Sequence, residues 1–452
     1  MEDSITIRHE LSSFSVTEEP RLLTTKTGKE IYVTRGISTA PGPERCPLCG
    51  SVMHRHGRRS MRIHDIDLLG HLHIIMASYD RYRCSSPDCS HTQMQEIAFK
   101  EPGHFITKRM GRRIRTRLNS GAGISETARS LSVHPSIIYE MDKENLKKML
   151  NGVRPPECEY IGIDEFKLHD GHRYATVVTD LRTGHVLFLE AGKSKEQAYH
   201  FFSQMGDGWM KHVKAVSMDM NAQYDSAFRE RWPGIRIIYD HFHLVKLYND
   251  TVTTAIRRRK QKEMLEKGDE DGYRLLKNSR YLLLSKMDTL RERDTAAHEN
   301  NVRLHKEYLD RGKPLPPGER ILSPYREKNL KDILAANEDL SVCYLLLEQF
   351  NLAYSVTSIT QLYKGMKTWI SLARQSNVSE ILTFCDTIEK HLMGIVYHAK
   401  FSISSGKVEG VNNMIKTIRR KAYGYRDTEY FFLKIRLASM RGAYTYKSHT
   451  FL

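Results

Sequence analysis

The sequence predicts an α/β protein of several domains, and three observations predict it. Two close cysteine pairs lie 34 residues apart near the start. After residue 159, β-rich runs give way to alternating helix and strand patterns. A segment of 189 residues then separates Asp219 from the next acid-bearing amphipathic helix at Glu409, far longer than a loop. A length of 452 residues allows about three domains. With 40% hydrophobic and 27% charged residues, the chain has material for ordinary cores, which excludes wholesale disorder. A net charge of +16 favours an extended polyanion, nucleic acid first, as partner. No run approaches 18 apolar residues, and Met1-Glu2-Asp3-Ser4 lacks a basic secretory n-region, so a cytoplasmic protein without a membrane is expected. Seven cysteines are too few for a disulfide scaffold and suggest a metal.

Residues 1–45 carry weak strand signals at Leu11–Val16 and Ile31–Val33, with no assigned task. Cys46 and Cys49 form a knuckle that, with Cys84 and Cys89, offers four thiolates to one structural zinc ion. His54, His56 and His91 stand near enough in sequence to replace a ligand. Strands are expected at Met61–Asp67 and His71–Tyr79. Downstream, Ile106–Ser120 reads as a basic helix carrying Lys108, Arg109, Arg112, Arg113, Arg115 and Arg117. Ser125–Leu131, a turn at Ser132-Val133-His134, and a helix from Pro135 to about Leu146 give a helix-turn-helix pattern. Its second helix is expected in the major groove, with Ser136 and Tyr139 as base contacts and the Arg-rich helix on phosphates. From Cys46 to Arg154 there are 18 Lys+Arg against 10 Asp+Glu, and from Ile403 to Leu452 there are 10 against 3, so two basic surfaces are implied.

Tyr160–Asp164, Tyr174–Asp180 and His185–Ala191 read as an antiparallel meander with Asp-Gly and Thr-Gly turns. Helix Lys195–Met205, strand Val213–Asp219, helix Ala222–Arg231 and strand Ile235–Tyr239 follow. The order β-β-β-α-β-α-β is that of a ribonuclease H-like domain. Asp164 and Asp219 interrupt apolar runs on its first and fourth strands, where an unpaired carboxylate is costly to bury. Strand alternation points Glu165 away from Asp164, which leaves it out of the acid set. In the helix that starts at Gly406, Val408, Val411, Ile415 and Ile418 form the apolar stripe, and Glu409, Asn413, Lys416 and Arg420 the opposite one. The 189-residue segment reads as a separately folding helical insertion. Cys343, Cys385 and Cys158 are expected to be core thiols.

Taken together, Cys46-Pro47-Leu48-Cys49-Gly50, Ile161-Gly162-Ile163-Asp164-Glu165, Tyr174–Asp180, Asp219-Met220-Asn221, Asp240-His241-Phe242-His243 and Gly406–Asn413 resemble the ISL3-type transposases of bacterial insertion sequences, in the DDE superfamily. The resemblance implies a zinc-binding domain (46–100), a helix-turn-helix with its linker (101–154), and a ribonuclease H-like catalytic domain in two parts (155–254 and 401–452) around an insertion (255–400). It implies Asp164, Asp219 and Glu409 as catalytic acids. Asp240 and His243 match a further motif of underived role. Three converging carboxylates repel one another unless cations neutralise them, so two Mg²⁺ ions about 4 Å apart are expected, with Mn²⁺ as a substitute. Lys416, Arg419, Arg420 and Lys421 are expected to hold phosphates near them. The implied partners are the terminal inverted repeats and the target DNA, in a homodimer or larger complex at the nucleoid. The rival readings are a non-catalytic DNA-binding regulator and a ribonuclease H-like nuclease without strand joining.

Overall fold

The computed structural model describes residues 11–169, 173–220, 222–401, 406–422 and 424–443. It resolves into two compact units, one drawn from Met1–Val153 and Thr417–Leu437, the other from Arg154–Lys416 and Ala438–Leu452.

The first unit holds a five-stranded sheet, ordered β1 (Phe14–Thr24), β2 (Glu30–Ser38), β4 (His71–Cys84), β3 (Met53–Leu68), with β5 (Thr92–Met94) also on β4. Strands β3 and β4 join through Leu69 and Gly70, both with positive φ, as a two-residue hairpin that matches the strand twist requires. Both strands run well past the expected Met61–Asp67 and His71–Tyr79. The excess is polar: His54 to Ser60 are all exposed, so no apolar alternation marks them as strand. Pairing to β4 from Met53↔Cys84 onward holds them extended instead.

Three helices follow: α1 (Lys108–Asn119), α2 (Ile124–Ser130) and α3 (Pro135–Leu150). Thr107 caps α1 by accepting from the Met110 N–H, and Pro135 opens α3 at a position whose N–H has no helical partner. Between α2 and α3, Ser132 stands at φ 51°, the left-handed conformation that glycine ordinarily supplies in such a turn. Ile114, Ala128, Leu131, Val133, Ile138 and Met141 close the core of the three helices.

In the second unit the sheet is ordered β10 (Arg236–Tyr239), β9 (Ala215–Met218), β6 (Tyr160–His169), β7 (Arg173–Asp180), β8 (Val186–Ala191). β6, β7 and β8 are antiparallel, while β9 and β10 run parallel to β6. Helices α4 (Lys195–Met210) and α5 (Ala222–Arg231) fall between β8, β9 and β10, so the expected element order is present. Ile161, Ile163, Val216 and Met218 bury one sheet face under α4 and α5. Gly162 and Ala215 lie on the other, with Leu181, Ile238 and Val408.

After β10 come α6 (His241–Tyr248) and a run of helices from Thr254–Lys267 to His398–Phe401. These differ from a separately folding insertion: one continuous core joins the sheet to Tyr248, Phe350, Trp369, Phe384 and Ile395. The ring of Tyr239 packs so close to Gly394 that an added Cβ would come within 2.4 Å of it, and the Tyr354 hydroxyl donates to the Tyr239 carbonyl at 3.0 Å. Cys343 and Cys385 are buried in this core, as expected. Two more helices close the described chain, α7 (Gly406–Lys421) and α8 (Thr428–Ala443).

Candidate active site and metal-binding groups

Parallel pairing of β6 with β9 sets Gly162 opposite Ser217. Asp164 follows two residues later on β6, and Asp219 stands one residue past the end of β9, near enough for its charge to act on Asp164; by alternation Asp164 shares the face of Gly162. That face is the one α7 covers. A Cβ on Gly162 would lie 2.6 Å from Val408 Cγ2, so glycine there lets the helix approach the strand. Val408, Val411 and Ile415 are buried and Ile418 is partly so, as the apolar stripe predicts.

Both oxygens of Asp164 are occupied. Oδ1 accepts from the Glu165 N–H at 2.7 Å, and Oδ2 accepts from Asn412 Nδ2 at 2.7 Å. Burial raises the pKa of Asp164, and the neighbouring Asp219 charge adds to the rise; the two hydrogen bonds and His243 act against it. Asp219 is half-buried and engaged in contacts of its own. Glu409 is exposed, one helical turn before Asn412, and Lys416 is exposed one turn beyond it. Sequence reasoning overlooked Asn412, whose place next to the stripe of Val408 and Val411 was its only signal.

Asp240 caps α6 by accepting from the Phe242 N–H at 3.0 Å, and its Oδ2 lies 3.9 Å from His243 Nε2. The Asp240 N–H donates to the Met218 carbonyl, which brings the start of α6 beside the end of β9. Glu165 lies 3.7 Å from Lys193; burial raises its pKa, opposed by that lysine. Asn221 lies outside the described residues.

In the first unit, Gly50 at φ 73° turns the first knuckle, with the Gly50 N–H donating to the Cys46 carbonyl. The Sγ atoms of Cys46 and Cys89 are 3.8 Å apart and those of Cys49 and Cys84 3.4 Å. Four thiolates at about 2.3 Å from one tetrahedral ion would stand about 3.8 Å apart, so the set fits such an ion. Hydrogen bonds from the Ser51 side chain and backbone lower the Cys49 thiol to about 6, while burial and the neighbouring thiols raise Cys84 and Cys89. Among the described residues these four form the one group of three or more His, Cys, Asp or Glu side chains whose ligand atoms all lie within 4.8 Å of one another. His54, His56 and His91 stay outside it, and the three acids are not gathered that tightly.

A family model described as "Transposase", of the DDE, ISL3 class, matches residues 161–435. The chain belongs to the ISL3-type insertion-sequence transposases. It is 29% identical to the transposase of insertion sequence element IS1001 from Bordetella parapertussis, over 87% of this chain and 88% of that one. It is also 24% identical to the transposase of IS1557 from Mycobacterium tuberculosis, over 60% and 57% of the two chains. Membership makes it an enzyme acting on DNA, and among the described residues no helix is long and apolar enough to cross a membrane.

For an ISL3-type transposase the basic residues matter most, and two expectations need correction. Arg109 is not available to phosphate. Its guanidinium is 9% exposed and pairs with the fully buried Asp65, Nε donating to Oδ1 at 2.7 Å and Nη2 to Oδ2. Tyr139 is not free to reach a base, because its hydroxyl donates to Asp427 and its ring packs edge-on against Tyr430 at 4.9 Å. Both partners are distant in sequence, so neither burial was legible from helical spacing.

Lys108, Arg112 and Arg113 are exposed, whereas Arg115 is half-buried against Glu101 and Arg117 pairs with Glu126. Ser136 is exposed, its hydroxyl 2.8 Å from His134 Nδ1. Arg420 and Lys421 are exposed, and Arg419 is half-buried with contacts of its own. A further basic surface was missed: along β3, Arg55, Arg58, Arg59 and Arg62 are all exposed, and Arg55 and Arg58 share Asp80 as counter-ion.

Proposed function

We propose that this chain binds the terminal inverted repeats of its insertion sequence and catalyses metal-dependent strand cleavage and strand transfer. The observation that carries the proposal is the hydrogen bond to Asp164 from Asn412, on the helix that bears Glu409, with Asp219 near enough for its charge to act on Asp164. Strand order and element order support the reading of a ribonuclease H-like domain with a helical insertion at 255–400. Asp164, Asp219 and Glu409 would hold two Mg²⁺ ions, Mn²⁺ substituting; the donor set is hard oxygen, and a buried carboxyl with a raised pKa gains from a nearby cation. Bound there, the ions supply Lewis-acid stabilisation and a nucleophile from water or a 3′-OH at neutral pH.

The chain's own residues then divide the work. Asp164 on β6 and Asp219 just past the end of β9 supply two carboxylates, and Glu409 completes the set from the helix. Lys416, Arg419, Arg420 and Lys421 neutralise phosphates along the same helix. Asp240 and His243 brace the start of α6 beside the acids.

In the first unit, Cys46, Cys49, Cys84 and Cys89 hold a structural zinc ion that closes the root of the β3–β4 hairpin. α2 and α3 act as the helix-turn-helix, Ser136 reaching toward bases, while Lys108, Arg112, Arg113 and the arginines of β3 contact phosphates. Because two ends must be cut and joined together, the active complex is at least a dimer, working in the bacterial cytoplasm on the nucleoid.

Labelled element ends incubated with the protein, Mg²⁺ and a supercoiled plasmid test this reading. Joined product is expected from the wild type, and end binding without cutting from Glu409→Gln and Asp164→Asn. Binding alone by the wild type would mean a regulator, and cutting alone a nuclease. A Glu409→Gln protein that cuts and joins at the wild-type rate would remove Glu409 from the site.

A further inference from the structure

The amide of Asn412 lies between the sheet and the catalytic helix. Its Nδ2 donates to Asp164 Oδ2 at 2.7 Å, across 248 residues of sequence. The amide faces the carboxylate with its nitrogen, the only one of its two polar atoms that can donate. With Nδ2 so placed, Oδ1 is turned away from the carboxylate. That oxygen is buried and has no hydrogen-bond partner among the described residues. A buried acceptor without a donor is costly, so a site that keeps one has a use for it.

Asn412 stands between two fixed points. Val408 anchors α7 on the apolar face around Gly162, and Asp164 sits two residues further along the same strand. Glu409, one turn earlier on α7, is exposed. Its position therefore depends on the helix being held in register against β6.

We propose that Asn412 is a positioning residue of the transposition reaction: it locks the Asp164 carboxylate and the register of the Glu409 helix, and its buried Oδ1 accepts a hydrogen bond from a water of the catalytic centre. The inference rests on the three-acid reading given above. The hydrogen bond leaves Asp164 with one rotamer, so the acid is oriented before any cation arrives, and removing the amide costs cation affinity through Asp164 and not through DNA contacts.

The test uses the full chain with Asn412→Ala, Asn412→Leu and Asp164→Asn. Mn²⁺ binding is followed by electron paramagnetic resonance, alongside Mg²⁺ titrations of end cleavage, end binding by mobility shift, and thermal melting. Asn412→Ala is expected to weaken Mn²⁺ binding about 10- to 100-fold and to raise the Mg²⁺ midpoint for cleavage correspondingly, with end binding and melting unchanged. Should the alanine variant melt early, Asn412→Leu keeps the side-chain shape without a donor for Asp164; the same loss of Mn²⁺ binding is expected from it. Wild-type Mn²⁺ binding and Mg²⁺ midpoint in a folded Asn412 variant would overturn the proposal, provided Asp164→Asn loses both. If Asp164→Asn keeps both as well, the three-acid reading fails first and this inference falls with it.

Discussion

Asp65 shows what a single buried charge does in this protein. Its Oδ1 accepts from Thr107 Oγ1 and Arg109 Nε, both at 2.7 Å, and its Oδ2 accepts from Arg109 Nη2 and lies 3.1 Å from His73 Nδ1. Burial alone would raise its pKa; the Arg109 guanidinium, with His73 and Thr107, outweighs burial and holds the carboxyl well below the usual carboxylate range. A folded value below the unfolded one means stability that is fully present above about pH 4 and is lost as pH falls through the folded value. Asp65→Asn is expected to cost about 3–5 kcal/mol, because it leaves Arg109 buried without its counter-charge. It is also expected to flatten the acid limb of the stability curve. Urea unfolding of wild type and variant between pH 7 and pH 3 measures both; equal stability at pH 7 would show that the pair contributes nothing.

Elements were legible where apolar periodicity marked them and illegible where partners distant in sequence decided the outcome. The strands and helices from Tyr160 to Tyr239 follow the reading closely, because buried central strands such as Ala215–Met218 are mostly apolar. The turn at Ser132 was also readable, and its positive φ explains why glycine is usual there. The exposed half of β3 was not readable, since its residues are charged and only the register with β4 keeps them extended. Asn412 was equally hidden, because an asparagine beside an apolar stripe reads as surface until the sheet beneath it is known.

The root of that hairpin yields a prediction at this scale. Met53 pairs with Cys84, and both pack with Cys46 next to Cys89. This small cluster lies apart from the core that contains Ile63, Ile75 and Phe99. With so little apolar area of its own, the root would depend on the zinc ion proposed for its four cysteines. Chelation at neutral pH is therefore expected to release one zinc per chain and to increase amide exchange from Arg45 to Arg55 and from Arg83 to Cys89. Protection in the Ile63–Ile75 core should persist. Uniform protection after chelation, or no zinc in the purified protein, would defeat the assignment.

Across the whole molecule the net charge of +16 is informative only after the paired cations are set aside. Six cations were expected to grip DNA from the first basic helix, yet Arg109 is buried on Asp65, Arg115 is held by Glu101, and Arg117 is paired with Glu126. Lys108, Arg112 and Arg113 remain on the exposed side of α1, where phosphate contacts release counter-ions from duplex DNA. Each lost contact lowers the slope of log affinity against log salt by about 0.9, so Lys108→Ala with Arg112→Ala and Arg113→Ala is expected to lower it by about 2.7. Because these contacts carry no base information, the ratio of affinities for element ends and for unrelated duplex should change little. Fluorescence anisotropy across a salt series measures both quantities. An unchanged slope would remove α1 from the DNA-binding surface and leave the arginines of β3, with Ser136 on α3, as the groups through which this unit meets its ends.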